Sequence, residues 1–292
     1  MISKTQNKVK KEFKQKLNGF VSSLKGYIST SDDQWTIKGF IDVFKNIYTV
    51  SADTKIVSKI LEIHLFPKLL EFAHKNKYRI VLAEQQNYYP DLSFVHGRDE
   101  SIKFALDLKT TYRLPENLEF CNEFTLGSHG EYFINRKSNK NIQFPYEEYL
   151  GHFCLGIIYS RSASEQVDET KTYDLKQLKS IVSVIGGFEF FVREKWEIAS
   201  DYQGSSNTAN IGSIKKISDI LNGNGVFKNL GELWFDDYWM NYRKIQMTLP
   251  DGRSKMITSL RNYLVYRGQD PELANAKANR PARKKRQVAK CQ

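Results

Sequence analysis

Cysteine is scarce in this chain. Three occur in 292 residues, Cys121, Cys154 and Cys291, widely spaced and without a Cys-x-x-Cys pair. That excludes a disulfide framework or a structural zinc site as the basis of the fold. The five histidines, His64, His74, His96, His129 and His152, show no ligand spacing, so histidine chemistry is not expected. Long apolar runs are missing as well. No stretch approaches the ~18 apolar residues of a membrane span, and the charged start leaves no room for the apolar region of a secretory signal. A cytoplasmic protein with no membrane association is the expectation.

Negative charge is in short supply: 44 Lys and Arg face 33 Asp and Glu, for a net charge of +11. A surplus of that size points to a polyanionic partner. The surplus sits at the ends. Residues 1–16 carry six Lys and one Glu, residues 271–292 carry seven Lys or Arg and one Glu, and the middle is near neutral. Solvated tails are the ordinary reading of such ends. A specific phosphate site in the middle must then use locally placed groups. With 40% hydrophobic and 13% aromatic residues, a large core can form without staples.

The most informative segment joins Pro90-Asp91 to Asp107-Leu108-Lys109. Apolar runs at 92–95 and 102–108 flank the turn-rich residues 96–101, which predicts a hairpin turning near Asp99. Asp91 and Asp107 are then cross-strand partners with Cβ atoms ~4.5–5.5 Å apart, where like charges repel and a cation belongs between them. Alternation places Asp107 and Lys109 on one face and Phe104, Leu106 and Leu108 on the other, toward a core. Two carboxylates and an ammonium suit phosphodiester hydrolysis with Mg²⁺. Lys109 fits equally well as a general base of depressed pKa or as a purely electrostatic group. A surface hairpin with an Asp/Lys salt bridge is the bland alternative.

Asp53 can cap a long apolar helix over 54–75, with Pro67 placed to kink or divide it. Helical spacing puts Lys55, Lys59 and Glu62 on one side and Ile56, Ile60, Ile63 and Leu70 on the other. Strand-like runs at 153–160, 188–192 and 196–198 then imply mixed α/β architecture. Trp234, Phe235, Tyr238, Trp239 and Tyr242 recur at helical spacing and are core candidates. The small-residue loop 203–212 can approach base edges closely. Residues 261–268 interleave basic and aromatic side chains that can meet phosphates, and from residue 269 a disordered tail is expected.

Several of these segments together resemble the EcoRV-like type II restriction endonucleases of the PD-(D/E)xK nuclease superfamily. The resemblance rests on residues 52–55, Gln85-Gln86-Asn87 followed by Pro90-Asp91, the Asp107-Leu108-Lys109 run through Tyr112, Phe124-Thr125-Leu126-Gly127, residues 140–142, and the loop 204–208 with its sequel Asn210-Ile211-Gly212. It implies the superfamily's core, a central mixed β-sheet flanked by helices, and a homodimeric, Mg²⁺-dependent enzyme cutting a palindrome in double-stranded DNA, GATATC with blunt ends in this family. It also implies roles. Asp91 and Asp107 match the metal-binding carboxylates, Lys109 the catalytic lysine, and Glu62 a helix glutamate that serves as a further ligand or water-positioning group. Gly204, Ser205, Ser206, Asn207, Thr208 and Asn210 match the major-groove recognition loop, Gln85, Gln86 and Asn87 the minor-groove loop, and Thr111 a residue at a DNA phosphate. The chain departs from the pattern at Ser206, where the family has glycine, and at Ala209, where it has threonine.

The expected organisation is a basic extension over 1–28, a nuclease domain over 29–268 that includes dimerisation and recognition elements, and a basic tail over 269–292. The rival readings are another PD-(D/E)xK nuclease, acting in repair or on junctions, and a DNA-binding protein of this fold without cleavage. The second rival gives no reason to keep two opposed carboxylates at a repulsive cost.

Overall fold

The computed structural model describes residues 3–85, 87–163, 168–204, 209–248, 252–275 and 278. Ser3 opens helix α1 (Lys4–Val21) through a reciprocal capping box with Gln6. Phe13, Leu17 and Val21 follow one another at helical spacing and are buried, while Lys4, Lys8 and Lys11 stay outside. The basic start of the chain, expected as a solvated tail, is therefore a docked amphipathic helix. Its four-residue apolar spacing decides the outcome despite the lysines around it.

Helix α2 (Lys25–Ile28) leads to the hairpin of β1 (Gly39–Ile41) and β2 (Ile47–Thr49). Helix α3 (Thr54–Lys75) is one continuous helix with Pro67 inside it, capped by Asp53, whose carboxylate accepts from the amides of Lys55 and Ile56. Its buried stripe is Val57, Leu61, Leu65, Leu69 and Phe72. Ile56, Ile63 and Leu70, expected inside, are exposed, and only Ile60 of that set is buried. The helix is apolar on more than one side, so docking against the sheet selects the leucine stripe over the neighbouring one.

Strands β3 (Tyr78–Leu82), β4 (Leu92–His96) and β5 (Lys103–Leu114) run antiparallel in succession, and β6 (Asn117–Cys121) folds back on the end of β5. After β7 (Thr125–Ser128) and α4 (Glu131–Ile134), β8 (Tyr149–Arg161) lies parallel to β5. The short β9 (Thr172–Tyr173) joins β1 and β2, and β10 (Ile185–Glu194) closes the main sheet against β8. The order β10-β8-β5-β4-β3, with β6 beside β5, makes a mixed central sheet. Helix α5 (Lys195–Ile198) follows at once, where an extended run was expected at 196–198. The reciprocal box between Glu194 and Glu197 satisfies the first amides of that turn and favours the helix.

Strands β11 (Ala199–Gln203) and β12 (Asn210–Ser213) build a second sheet with β7. Helices α6 (Ile217–Asn222) and α7 (Glu232–Asn241), the hairpin β13 (Gln246–Thr248) and β14 (Ser254–Met256), and α8 (Leu260–Tyr266) complete the chain. A 3-10 turn, Pro271–Leu273, and the buried Ala274 pack at the start of the tail expected from residue 269, most of which lies outside the described residues.

Two cores flank the central sheet. On one side Phe13, Leu61, Leu65, Phe94, Phe104 and Phe153 pack together, with the Phe13 and Phe104 rings stacked at 4.0 Å. On the other, Leu126, Ile158, Phe191, Phe227, Tyr238 and Trp239 form a second cluster. Strand β5 serves both, because Phe104 and Leu106 face the first core while Ala105 faces the second. Its next outward positions, Asp107 and Lys109, emerge at the rim of that second side.

Candidate active site

The register of the β4–β5 pair, with Leu92 opposite Leu106, puts Asp91 opposite Asp107 one step further on. The expected hairpin is borne out. The Leu108 amide donates to Asp91 Oδ2 at 2.7 Å, and the Asp91 amide lies 3.4 Å from Asp107 Oδ1. Asp107 is 3% exposed, and its Oδ2 meets no hydrogen-bond donor of good geometry among the described residues. Two ammonium groups approach that oxygen instead: Lys109 Nζ at 3.3 Å and Lys195 Nζ at 3.7 Å.

These charges set the protonation states. Asp91 reaches solvent at the rim but is walled by protein, and desolvation together with the charge of Asp107 pushes its carboxyl up to about 6. Burial alone would raise Asp107 too, yet Lys109 and Lys195 outweigh it and hold that carboxyl below its ordinary value. Burial opposes the charge on Lys109, but Asp107 and Asp91 reverse the balance and raise its pKa. The two carboxylates therefore favour the ammonium form of Lys109. Lys195 is pushed down to about 8 by burial, with Asp107 pulling the other way.

Lys195 escaped the sequence reading. A single lysine between the apolar stretch of β10 and Trp196 was the available signal, since a lysine there must find a buried counter-charge. The residue stands over the face of the Tyr89 ring, 3.6 Å from its centroid, within an aromatic wall where Tyr89 and Tyr132 stack. Gly127 makes the space. Its φ is +92°, and a Cβ there would lie 2.8 Å from Lys195 Nζ. The Phe124-Thr125-Leu126-Gly127 motif thus has a packing reason.

Asp91, Asp107 and Lys109 line a cleft of about 450 Å³ together with Asn87 and Asn210, so the ends of both candidate DNA loops open onto the carboxylates. Gly204 is tied to that wall by its amide, which donates to the Asn210 carbonyl at 3.1 Å. Gly212 permits β12 to lie close to β11, because a Cβ would meet the Tyr202 carbonyl at 2.7 Å. Gln86, Ser205, Ser206, Asn207 and Thr208 lie outside the described residues. A second groove shares Asp91 and runs along α3 past Lys55, Glu62, Gln85 and Thr110. Glu62 faces this groove but pairs with Lys59 at 2.9 Å. Thr111 is buried and its hydroxyl donates to the Asn122 carbonyl at 2.6 Å, so that hydroxyl is engaged within the protein. Arg267, in the basic-aromatic run, pairs with Asp237 at 3.1 Å.

Among the described residues no three His, Cys, Asp or Glu side chains converge on one point. Two carboxylates do face each other, and one of their oxygens is buried without a hydrogen bond. That fits a hard divalent cation held by one or two carboxylates and completed by water and phosphate oxygens. No helix among the described residues is long and apolar enough to cross a membrane.

Residues 31–268 match the family described as Restriction endonuclease EcoRV. The Type II restriction enzyme EcoRV of Escherichia coli is 34% identical over 249 residues, covering 85% of this chain and 98% of that protein.

Proposed function

This chain belongs to the EcoRV restriction endonuclease family and is a DNA-cleaving hydrolase, and from that premise we propose that it is a Mg²⁺-dependent homodimer cutting both strands of a short palindrome. The observation that carries the reading is the opposed pair Asp91 and Asp107 with Lys109 at 3.3 Å from the second carboxylate. Asp91 and Asp107 hold the ion, and Glu62, which faces the Asp91 groove, is the candidate for a further ligand or for placing water. When bound, the cation supplies charge stabilisation for the phosphate oxygens. The protein's own groups do the rest. The Leu108 amide fixes Asp91, and the Lys109 ammonium donates to the attacking water or to the phosphate.

Asn87 and Asn210 on the cleft wall support DNA reading by the loops they terminate, with Gln85, Gln86, Gly204 and residues 205–208 as the remaining contacts. GATATC with blunt ends is the expected site. Ser206 and Ala209 are where any change of specificity originates, because a Cβ and hydroxyl in place of glycine alter loop path or contacts.

The dimer is supported by an apolar face that the monomer leaves open. Val43 and Phe44, at the turn between β1 and β2, are 89% and 82% exposed, and Phe40, Ile41 and Tyr48 beside them are also uncovered. A second copy fits this face, since two-fold protein symmetry supplies one centre per strand of a palindrome.

The test is digestion of a large plasmid with Mg²⁺, followed by sequencing of the fragment ends. Discrete blunt fragments at GATATC are expected. A different palindrome keeps the enzyme and moves the specificity to Ser206 and Ala209. Structure-directed nicking favours the repair class, and binding without cutting overturns the reading.

A further inference from the structure

A second ammonium reaches the carboxylate pair from inside the protein. Lys195 is 4% exposed, lies behind Asp107, and packs against Tyr89 and the backbone at Gly127, so it does not present its charge to DNA. The turn that carries it is anchored by ions. Glu194 pairs with Lys10 and, at 3.2 Å, with Lys14, while Glu197 pairs with Lys14 at 2.7 Å. Helix α1 thus braces the residue next to Lys195 on a main-sheet strand end. A buried ammonium is costly unless it meets a counter-charge, and the carboxylate within its reach is Asp107 at 3.7 Å.

We propose that Lys195 is a positioning residue acting through Asp107: its ammonium, 3.7 Å from Asp107 Oδ2 on the protein side, offsets the negative charge a cation would meet there and thereby weakens the centre's intrinsic affinity for divalent metal. The proposal rests on the reading of Asp91 and Asp107 as the metal-holding pair. With Lys195 present, two carboxylates and two ammonium groups leave the centre neutral, and a cation enters without net attraction. Without it the centre carries a net negative charge, and a divalent ion a few ångströms away binds more tightly. A residue that only held Asp107 in place would have the opposite signature, since its removal loosens Asp107 and lowers metal affinity.

The experiment is titration of the full chain with Mn²⁺ near neutral pH, without DNA, read by the electron paramagnetic resonance of free Mn²⁺. Wild type, Lys195→Met and Asp91→Ala in both backgrounds are compared. Methionine keeps most of the length and apolar stem of lysine, and Lys195→Gln is read the same way should the methionine variant not fold. The expected result is binding tighter by on the order of tenfold or more in Lys195→Met, abolished by Asp91→Ala. A wild type with no detectable site and a Lys195→Met variant with one supports the proposal equally. Affinity equal to or weaker than wild type in the lysine variants overturns it and leaves the metal reading standing. Mn²⁺ binding that Asp91→Ala does not touch overturns the metal reading itself, and this proposal with it.

Discussion

The amide of Leu108 donates to Asp91 Oδ2 at 2.7 Å, so the strand that carries Asp107 also fixes the carboxylate opposite it. The backbone therefore holds two like charges together in advance of any cation. Their environments differ. Asp91 sits at the rim with Asp107 as its repulsive neighbour, whereas Asp107 is buried between Lys109 and Lys195. On the proposed function both carboxylates serve cleavage, and the difference in environment makes their importance for the fold unequal.

Asp91→Asn and Asp107→Asn are both expected to lose cleavage by on the order of a thousandfold or more, the equivalent of several kcal/mol of charge stabilisation. Their stabilities should part. Asp91→Asn relieves repulsion and leaves urea unfolding unchanged or shifted slightly upward. Asp107→Asn strips two buried ammonium groups of their counter-charge and costs roughly 3–5 kcal/mol. Equal urea midpoints for the two variants would show that Lys195 does not depend on Asp107.

Acid should weaken the fold at the α1 dock. Burial would raise Glu194, but Lys10 and Lys14 hold its carboxyl below the ordinary glutamate value of 4.5. A depressed folded-state pKa contributes stability that is present above the ordinary value and lost as pH falls through the folded one. Glu194→Gln is expected to be less stable than wild type at neutral pH and to show a flatter loss below 4.5. Urea midpoints across that range check it, and an acid limb as steep as wild type would remove Glu194 as its cause. Glu232, raised by burial, contributes with the opposite sign and does not mimic the effect.

The hairpin was readable because it is local: alternation and one turn place Asp91, Asp107 and Lys109 with no knowledge of the rest of the chain. The strand-like runs of β8 and β10 and the aromatic helix α7 were readable for the same reason, each declaring itself by local pattern, whereas the parallel pairing of β5 with β8 that makes the sheet mixed came only with the family resemblance. Lys195 was not, since it reaches Asp107 through a contact between residues 88 positions apart in sequence, and local pattern carries no information on which buried lysine meets which carboxylate. The docked α1 was hidden by its own lysines. On α3 two neighbouring apolar stripes competed, and only the sheet beneath decides between Leu61 and Ile63.

Gly127→Ala tests the cradle. The added Cβ would lie 2.8 Å from Lys195 Nζ on a backbone with φ +92°, so either the lysine or the β7 backbone must move. A loss of roughly 1–3 kcal/mol is expected from the strained conformation, with cleavage falling as well because Asp107 loses its fixed neighbour. Thermal unfolding and plasmid cleavage together report both effects. A variant as stable and as active as wild type would mean that Lys195 has room the packing denies it.

The open hairpin face gives the sharpest test of assembly. Val43 and Phe44 touch solvent almost entirely in the monomer, so replacing both with aspartate removes no monomer packing and should leave the folded chain's unfolding transition near wild type. If a second copy covers this face, two buried charges oppose it and sedimentation velocity shifts from dimer to monomer. Cleavage should change character along with mass. A monomer brings one centre to one strand at a time, so a closed circular plasmid accumulates as nicked circles before linear product appears. An unchanged sedimentation coefficient with normal linearisation would place the dimer contact elsewhere on the molecule, and a wild type that sediments as a monomer yet cuts both strands would remove the symmetric arrangement altogether.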